Sequence, residues 1–166
     1  MDTFECIATK LDVREFSSNQ PVPADVKSKI LEAGRMTGTG LNTQHWRFII
    51  IESTENIKRL AQDSTSGGWA AGANFAIIVL TNPEHKFHMI DAGRVVQDMQ
   101  LAGWNFGVAS GLFTGLRDSE IRRDFGIPDE LKPTVVVCFG YPARKIAGKK
   151  KRLPLETLVH RERFGD

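Results

Sequence analysis

The residues best equipped for chemistry fall in three places. In KLDVREF, an extended chain points Lys10, Asp12 and Arg14 the same way, because strand side chains repeat every two residues. Two cations converging there could hold a phosphate, with Arg14 offering a bidentate fork; the same three residues could equally form a surface ion-pair cluster. In TGTGLNTQHW, Gly38 and Gly40 allow a ligand to lie against bare peptide groups, and Asn42 and Gln44 add carboxamide donors and acceptors. That combination suits a flat, hydrogen-bonding ligand, or it is an ordinary helix-to-strand connection. The third place is the basic run Arg144, Lys145, Lys149, Lys150, Lys151 and Arg152.

Other chemistries are excluded. GTGLNT lacks a third glycine and precedes a strand, so the dinucleotide fingerprint fails. There is no GxxxxGK[ST] loop. His85 and His88 form HxxH beside Asp91 without further metal spacing, so no metal is expected. Ser110 lies in ASGLF, not in a nucleophile elbow. No residue reads as a nucleophile or a matched acid–base pair, so a cofactor would have to carry any reaction.

The elements that position these residues follow from periodicity. A first helix is capped by Asp2 or Thr3 with Phe4, Ile7, Ala8 and Leu11 on one face. A helix over 24–36 buries Val26, Ile30, Leu31 and Ala33. Strands are expected at 46–51, 75–80, 108–114 and 133–140, with short helices from Ser53 and Asp118. The run Phe48–Ile51 reads as core. The longest helix, 87–106, is apolar around most of its circumference, with Asp91, Arg94 and Asp98 on a narrow polar stripe. Such a helix is central to a core or half of a subunit interface. The stretch from Leu153 to Asp166 reads as an amphipathic tail.

At 166 residues, 41% hydrophobic and 25% charged, the chain reads as one soluble domain, 1–166. Its net charge of +2 does not call for a polyanion partner, and the basic run carries no interleaved aromatics, so no nucleic acid is expected. Cys6 and Cys138 fit no metal or CxxC spacing and suit a reducing compartment. No apolar run reaches membrane length and none resembles a leader, so a cytoplasmic location off the membrane is expected.

Taken in order, KLDVREF, ILEAGRM, GTGLNTQHWRFIII, DAGRVVQDMQLAGWNFGVAS, FGIPDELKPTVVVCFGYP and KKKRLPLETLV resemble the nitroreductase family over nearly the whole chain. The resemblance implies an α+β fold in three layers, with a central mixed, largely antiparallel sheet flanked by helices. It also implies an intertwined homodimer with FMN at the subunit interface. The family's RxSxR phosphate motif matches Lys10, Asp12 and Arg14. Its SxNxQPW motif matches Gly40, Asn42, Gln44, His45 and Trp46, with Gly38 just before it. Its K-x-R matches Lys150 and Arg152. The strand that reaches flavin N5 and O4 matches Leu112, Thr114 and Gly115, and Trp69 is expected over the open face as a substrate residue or else as a buried structural tryptophan.

The implied activity is ping-pong transfer from NAD(P)H through flavin to a small acceptor such as a nitroaromatic or quinone. The alternative is a flavin-binding sensor or carrier without turnover. Two departures stand out. Asp12 occupies the serine position and is expected to orient a neighbouring cation, and His45 occupies the proline position.

Overall fold

The computed structural model describes residues 1–146 and 148–165. Ala147 lies outside the described residues, as does Asp166, the last residue of the expected tail. Among the described residues five α-helices, α1 (Thr3–Thr9), α2 (Ala24–Arg35), α3 (Thr54–Gln62), α4 (His88–Asn105) and α5 (Asp118–Phe125), surround four strands, β1 (Arg47–Ile51), β2 (Phe75–Thr81), β3 (Ala109–Phe113) and β4 (Lys132–Gly140).

The sheet order is β1-β2-β4-β3, and each neighbouring pair is antiparallel. Among the described residues, parallel pairing is confined to an isolated bridge between Asp12 and Ser110. Both central strands are apolar on both faces because helices cover both sides. Phe75, Ile77, Val79, Val135, Val137 and Phe139 face α2 and α4. Ala76, Ile78, Leu80, Val136 and Cys138 face α3 and α5. Val95, Val96 and Met99 carry α4 into the first core, and burying each contributes about 1.5–3 kcal/mol. The helix pair is close: a Cβ on Gly34 of α2 would stand 2.2 Å from Met99 Cε.

Local signals account for the element ends. Asp2 caps α1, its carboxylate accepting from Glu5 N at 2.9 Å, and Ser53 caps α3 through Asn56 N at 3.2 Å. Gly126 ends α5 with φ 62°.

Three expectations change. The supposed buried face of α1 is exposed: Phe4 is 79% exposed and Ile7 44%, while Cys6 is its buried residue. The isoleucine run of β1 is an edge strand in which Ile51 alone is buried, because no strand covers its outer side. Among its described residues the tail buries no apolar face for all its amphipathic pattern. Apart from a 3-10 turn over Leu155–Thr157 it is irregular, with Leu155, Leu158 and Phe164 in solvent.

Candidate functional site

The segment after α1 is laid against the β3 edge of the sheet. Val13 N donates to Ser110 O at 2.8 Å, and Asp12 bridges Ser110. This brings Lys10 inward, where it is buried, and its Nζ donates to Asp12 Oδ1 at 2.5 Å. Gln100 of α4, also buried, approaches the same oxygen from the other side, its Nε2 at 3.5 Å. The chain after Gly148 returns to this point, and Lys150 Nζ donates to the Ile7 carbonyl.

Lys10, Asp12, Gln100, Leu112, Lys150 and Arg152 thereby line one cavity of about 560 Å³. Its lining includes five cations, Lys10, Lys149, Lys150, Lys151 and Arg152, against the single carboxylate of Asp12. An anion there is favoured by direct charge and hydrogen bonding. Through Gln97, Gln100 and Leu112 the cavity opens into a second, of about 240 Å³, walled by Met89, Ala92, Val96 and Val135 and bordered by Thr114. The result is a groove along one flank of α4, cationic at one end and apolar at the other.

Arg14 is not in that groove. It lines a neighbouring cavity of about 450 Å³ with Arg144 and Lys145, which meets the first at Leu11 and Asp12. Its guanidinium sits 5.5 Å from the Trp69 ring centroid. Trp69 itself packs on the opposite face of β3 from Leu112, edge-on to Phe113 and beside Phe16. It is half-buried and lines neither cavity of the groove. Gly115 lies one residue past the lining, its carbonyl accepting from Thr65 N at 2.8 Å.

Gly38, Gly40, Asn42 and Gln44 are elsewhere again. Their loop packs on the other flank of α4, where Asp91 is its anchor. Side chains advance about 100° per residue around a helix, so Asp91, Arg94 and Asp98 share a flank roughly opposite Val96, Gln97 and Gln100. Asp91 accepts from Thr39 Oγ1 at 2.8 Å, Gly40 N at 3.1 Å and His45 Nε2 at 3.2 Å. Arg94 approaches it at 3.8 Å, and a Cβ on Gly38 would meet the Arg94 guanidinium at 2.4 Å. Thr37 Oγ1 ties the loop's start to Asp98 at 2.6 Å. Burial disfavours the Asp91 carboxylate, but the hydrogen bonds from Thr39, Gly40 and His45 outweigh it and hold its pKa below the ordinary value.

Leu41, Asn42 and Gln44 have positive φ of 51°, 54° and 47°. Backbone of that kind costs on the order of 1–3 kcal/mol per residue and persists only where the surroundings impose it. Asn42 and Gln44 are exposed.

The sequence singled out neither Asp91 nor Gln100 as a site residue. The signal for Asp91 was a carboxylate in the first turn of an otherwise apolar helix, where the helix N-terminus favours a negative charge. His88 Nδ1 lies 2.9 Å from Thr81 Oγ1, and burial lowers its pKa. Both cysteines are free and buried, and burial raises both thiol pKa values, that of Cys138 far above the usual range. Among the described residues no cluster of three or more His, Cys, Asp or Glu side chains could hold a metal.

The sequence pattern of the nitroreductase family matches this chain over residues 7–76 and 65–141. The chain belongs to the nitroreductase family. A relative from Methanothermobacter thermautotrophicus, whose name pairs NADH dehydrogenase with NAD(P)H nitroreductase, is 28% identical over 152 residues, covering 86% of this chain and 78% of that one. A nitroreductase family protein from Clostridium difficile 630 superposes with a TM-score of 0.88 at 25% identity, covering 99% and 100% of the two chains. An FMN-dependent nitroreductase from Clostridium difficile R20291 shares the fold, with a TM-score of 0.87 at 19% identity over 98% and 100% of the chains.

Proposed function

We propose that this nitroreductase is an FMN-dependent oxidoreductase. It takes electrons from NAD(P)H and passes them to a small organic acceptor such as a nitroaromatic or quinone, and it works as a cytoplasmic homodimer. The observation that carries the reading is the groove along α4, whose cationic end opens directly into an apolar one.

The residues fit FMN. Lys10, Lys150 and Arg152 would hold the phosphate, with Asp12 and Gln100 fixing the position of Lys10. Leu112 and Thr114 would border the flavin, while the loop carrying Asn42 and Gln44 would supply carboxamides to its polar edge. Bound FMN would supply the redox chemistry, accepting hydride from NAD(P)H and returning electrons to the acceptor. The chain's task is to orient the ring and leave one face open.

The two flanks of α4 support the homodimer. One chain presents its Asn42 loop away from its own groove, so a complete site takes the groove of one copy and the loop of another. Phe4, Ile7, Ile90, Leu155, Leu158 and Phe164 give that second copy apolar side chains to cover. No helix among the described residues is long and apolar enough to cross a membrane.

The test is the absorption spectrum of the purified protein, followed by anaerobic NAD(P)H titration and addition of an acceptor. A flavin spectrum that NAD(P)H bleaches and the acceptor restores is expected. A bound flavin that NAD(P)H leaves oxidised would make the protein a carrier or sensor. Sedimentation at micromolar concentration should show a dimer, and a monomer that still binds FMN tightly would sink the composite site.

A further inference from the structure

The loop between α2 and β1 holds an unusual shape by an unusual device. Three of its residues, Leu41, Asn42 and Gln44, sit in left-handed backbone, and none of them is glycine. Opposite them stands Asp91, whose side chain is 2% exposed, with the loop's Thr39 hydroxyl, Gly40 N–H and His45 Nε2 all directed at it. The second histidine nitrogen is also used: His45 Nδ1 accepts from Asn82 N at 3.3 Å, which places the ring proton on Nε2, facing Asp91. The loop is thus bolted to the start of α4 on one side and to the end of β2 on the other. Beneath Gly40 lies Phe87, so close that a Cβ there would fall 2.6 Å from its ring, and Phe87 stacks on His85 at 5.4 Å.

We propose that Asp91 and His45 are positioning residues for the cofactor: they set the Thr39–Gln44 loop in its bound shape before FMN arrives. This rests on the reading that Asn42 and Gln44 meet the flavin's polar edge. The physical reason is pre-organisation. Strain that the folded chain has already absorbed does not have to be met by binding energy, so a loop fixed in advance binds more tightly than one that must be ordered. His45 is specific to this task in a way that a proline is not. It couples the loop to Asp91 and to Asn82 at once, through its two nitrogens.

The experiment titrates apoprotein with FMN and, separately, with riboflavin, which shares the ring but lacks the phosphate. Asp91→Ala and His45→Leu should weaken both flavins by the same factor, tenfold or more, so that the FMN-to-riboflavin ratio stays at the wild-type value. His45→Gln, which keeps a donor toward Asp91, should recover most of the loss. Hydrogen exchange of apoprotein should show the hydrogen-bonded amides of Gly40, Asn42 and Thr43 protected in wild type and exposed in His45→Leu, and this readout needs no flavin.

Asp91→Ala and His45→Leu proteins that bind both flavins within twofold of wild type, or that lose FMN while keeping riboflavin, overturn the proposal and leave the flavin reading standing. Fast exchange of the loop in wild-type apoprotein does the same. Wild-type protein that binds neither flavin sinks both. If Asp91→Ala fails to fold, the pair His45→Leu and His45→Gln decides alone.

Discussion

The two flanks of α4 solve opposite problems. On the Asp91 flank a buried charge meets three donors from one loop, and the chain satisfies itself. On the Gln100 flank five cations line a cavity with one carboxylate, so among the described residues that line it the charge is left to be balanced by something that binds. A self-satisfied polar cluster rigidifies what it touches, whereas an unbalanced one selects a ligand by charge. The same helix therefore carries a device for shape on one side and a device for affinity on the other, and substitutions on the two sides should be separable by what they change.

The largest effect is expected on the affinity side. Lys150→Ala combined with Arg152→Ala removes two charged hydrogen-bond donors, a loss of roughly 3 kcal/mol or more in FMN binding, about a hundredfold. Riboflavin binding should stay unchanged, since it has no phosphate to lose. Fluorescence titration of both flavins checks this, and an equal loss for both would show that the cationic end shapes the ring site as well.

On the shape side the expected loss is in folding. Asp91→Ala leaves three donors without their acceptor, that of His45 buried and those of Thr39 and Gly40 half-buried, and should destabilise the apoprotein by about 2–3 kcal/mol in urea unfolding at neutral pH. The pH dependence has a definite sign. Asp91 is held below its ordinary value of 3.8 in the folded chain, so it binds a proton less readily there than when unfolded. Its contribution is fully present above that ordinary value and is lost as pH falls through the lower folded value. The gap in stability between wild type and Asp91→Asn should accordingly be constant from pH 8 to about pH 5 and close in more acidic buffer. A gap that widens toward low pH would contradict the assignment.

Much of this was legible in the residues, and the exceptions share a cause. The strands of the central sheet and the helices over 24–35 and 88–105 could be read because apolar periodicity is a local property. Phe48–Ile51 misled because an edge strand and a central one have the same composition, and only the neighbour decides which is buried. Lys10, Lys150 and Arg152 could be placed together through the family motifs, although more than a hundred residues separate the ends of that set. Arg14 could not be separated from them, because strand alternation fixes direction over two or three residues and says nothing about which of two adjoining cavities an arginine enters. The roles of Asp91 and Gln100 escaped the sequence for a different reason. Their roles come from long-range contacts, with Thr39 and Asp12, that no spacing along the chain encodes.

Arg14 offers a smaller test of the same contrast. It adjoins the cationic cavity without lining it, and its guanidinium rests on Trp69. Arg14→Ala should weaken FMN by less than about 1 kcal/mol and should cost a similar amount in stability through the lost cation–π contact. A loss as large as that of the Lys150 and Arg152 pair, again sparing riboflavin, would return Arg14 to the phosphate.

The smallest effect belongs to Asp12, where two influences oppose each other. Its carboxylate accepts from Lys10 Nζ at 2.5 Å and lies within 3.5 Å of Gln100 Nε2, so it holds the buried lysine in place. The cation it steadies is Lys10 and not Arg14. Yet its own side chain is 62% exposed, and its negative charge lies in a cavity suited to an anion. Asp12→Asn keeps a carbonyl oxygen for Lys10 and removes the charge, so the loss of grip on the lysine and the relief of repulsion act in opposite directions. With a charged lysine the weakened hydrogen bond outweighs the relieved repulsion, and FMN should bind about twofold to fivefold less tightly, or roughly 0.5–1 kcal/mol. Salt separates the two influences. Repulsion between an exposed carboxylate and a phosphate is screened as ionic strength rises, whereas the local geometry of a buried lysine is not. The loss should therefore persist from low to high salt. Tighter binding by Asp12→Asn that fades as salt is added would instead place the carboxylate against the phosphate itself, and the cationic end of the groove would then carry a built-in brake on affinity.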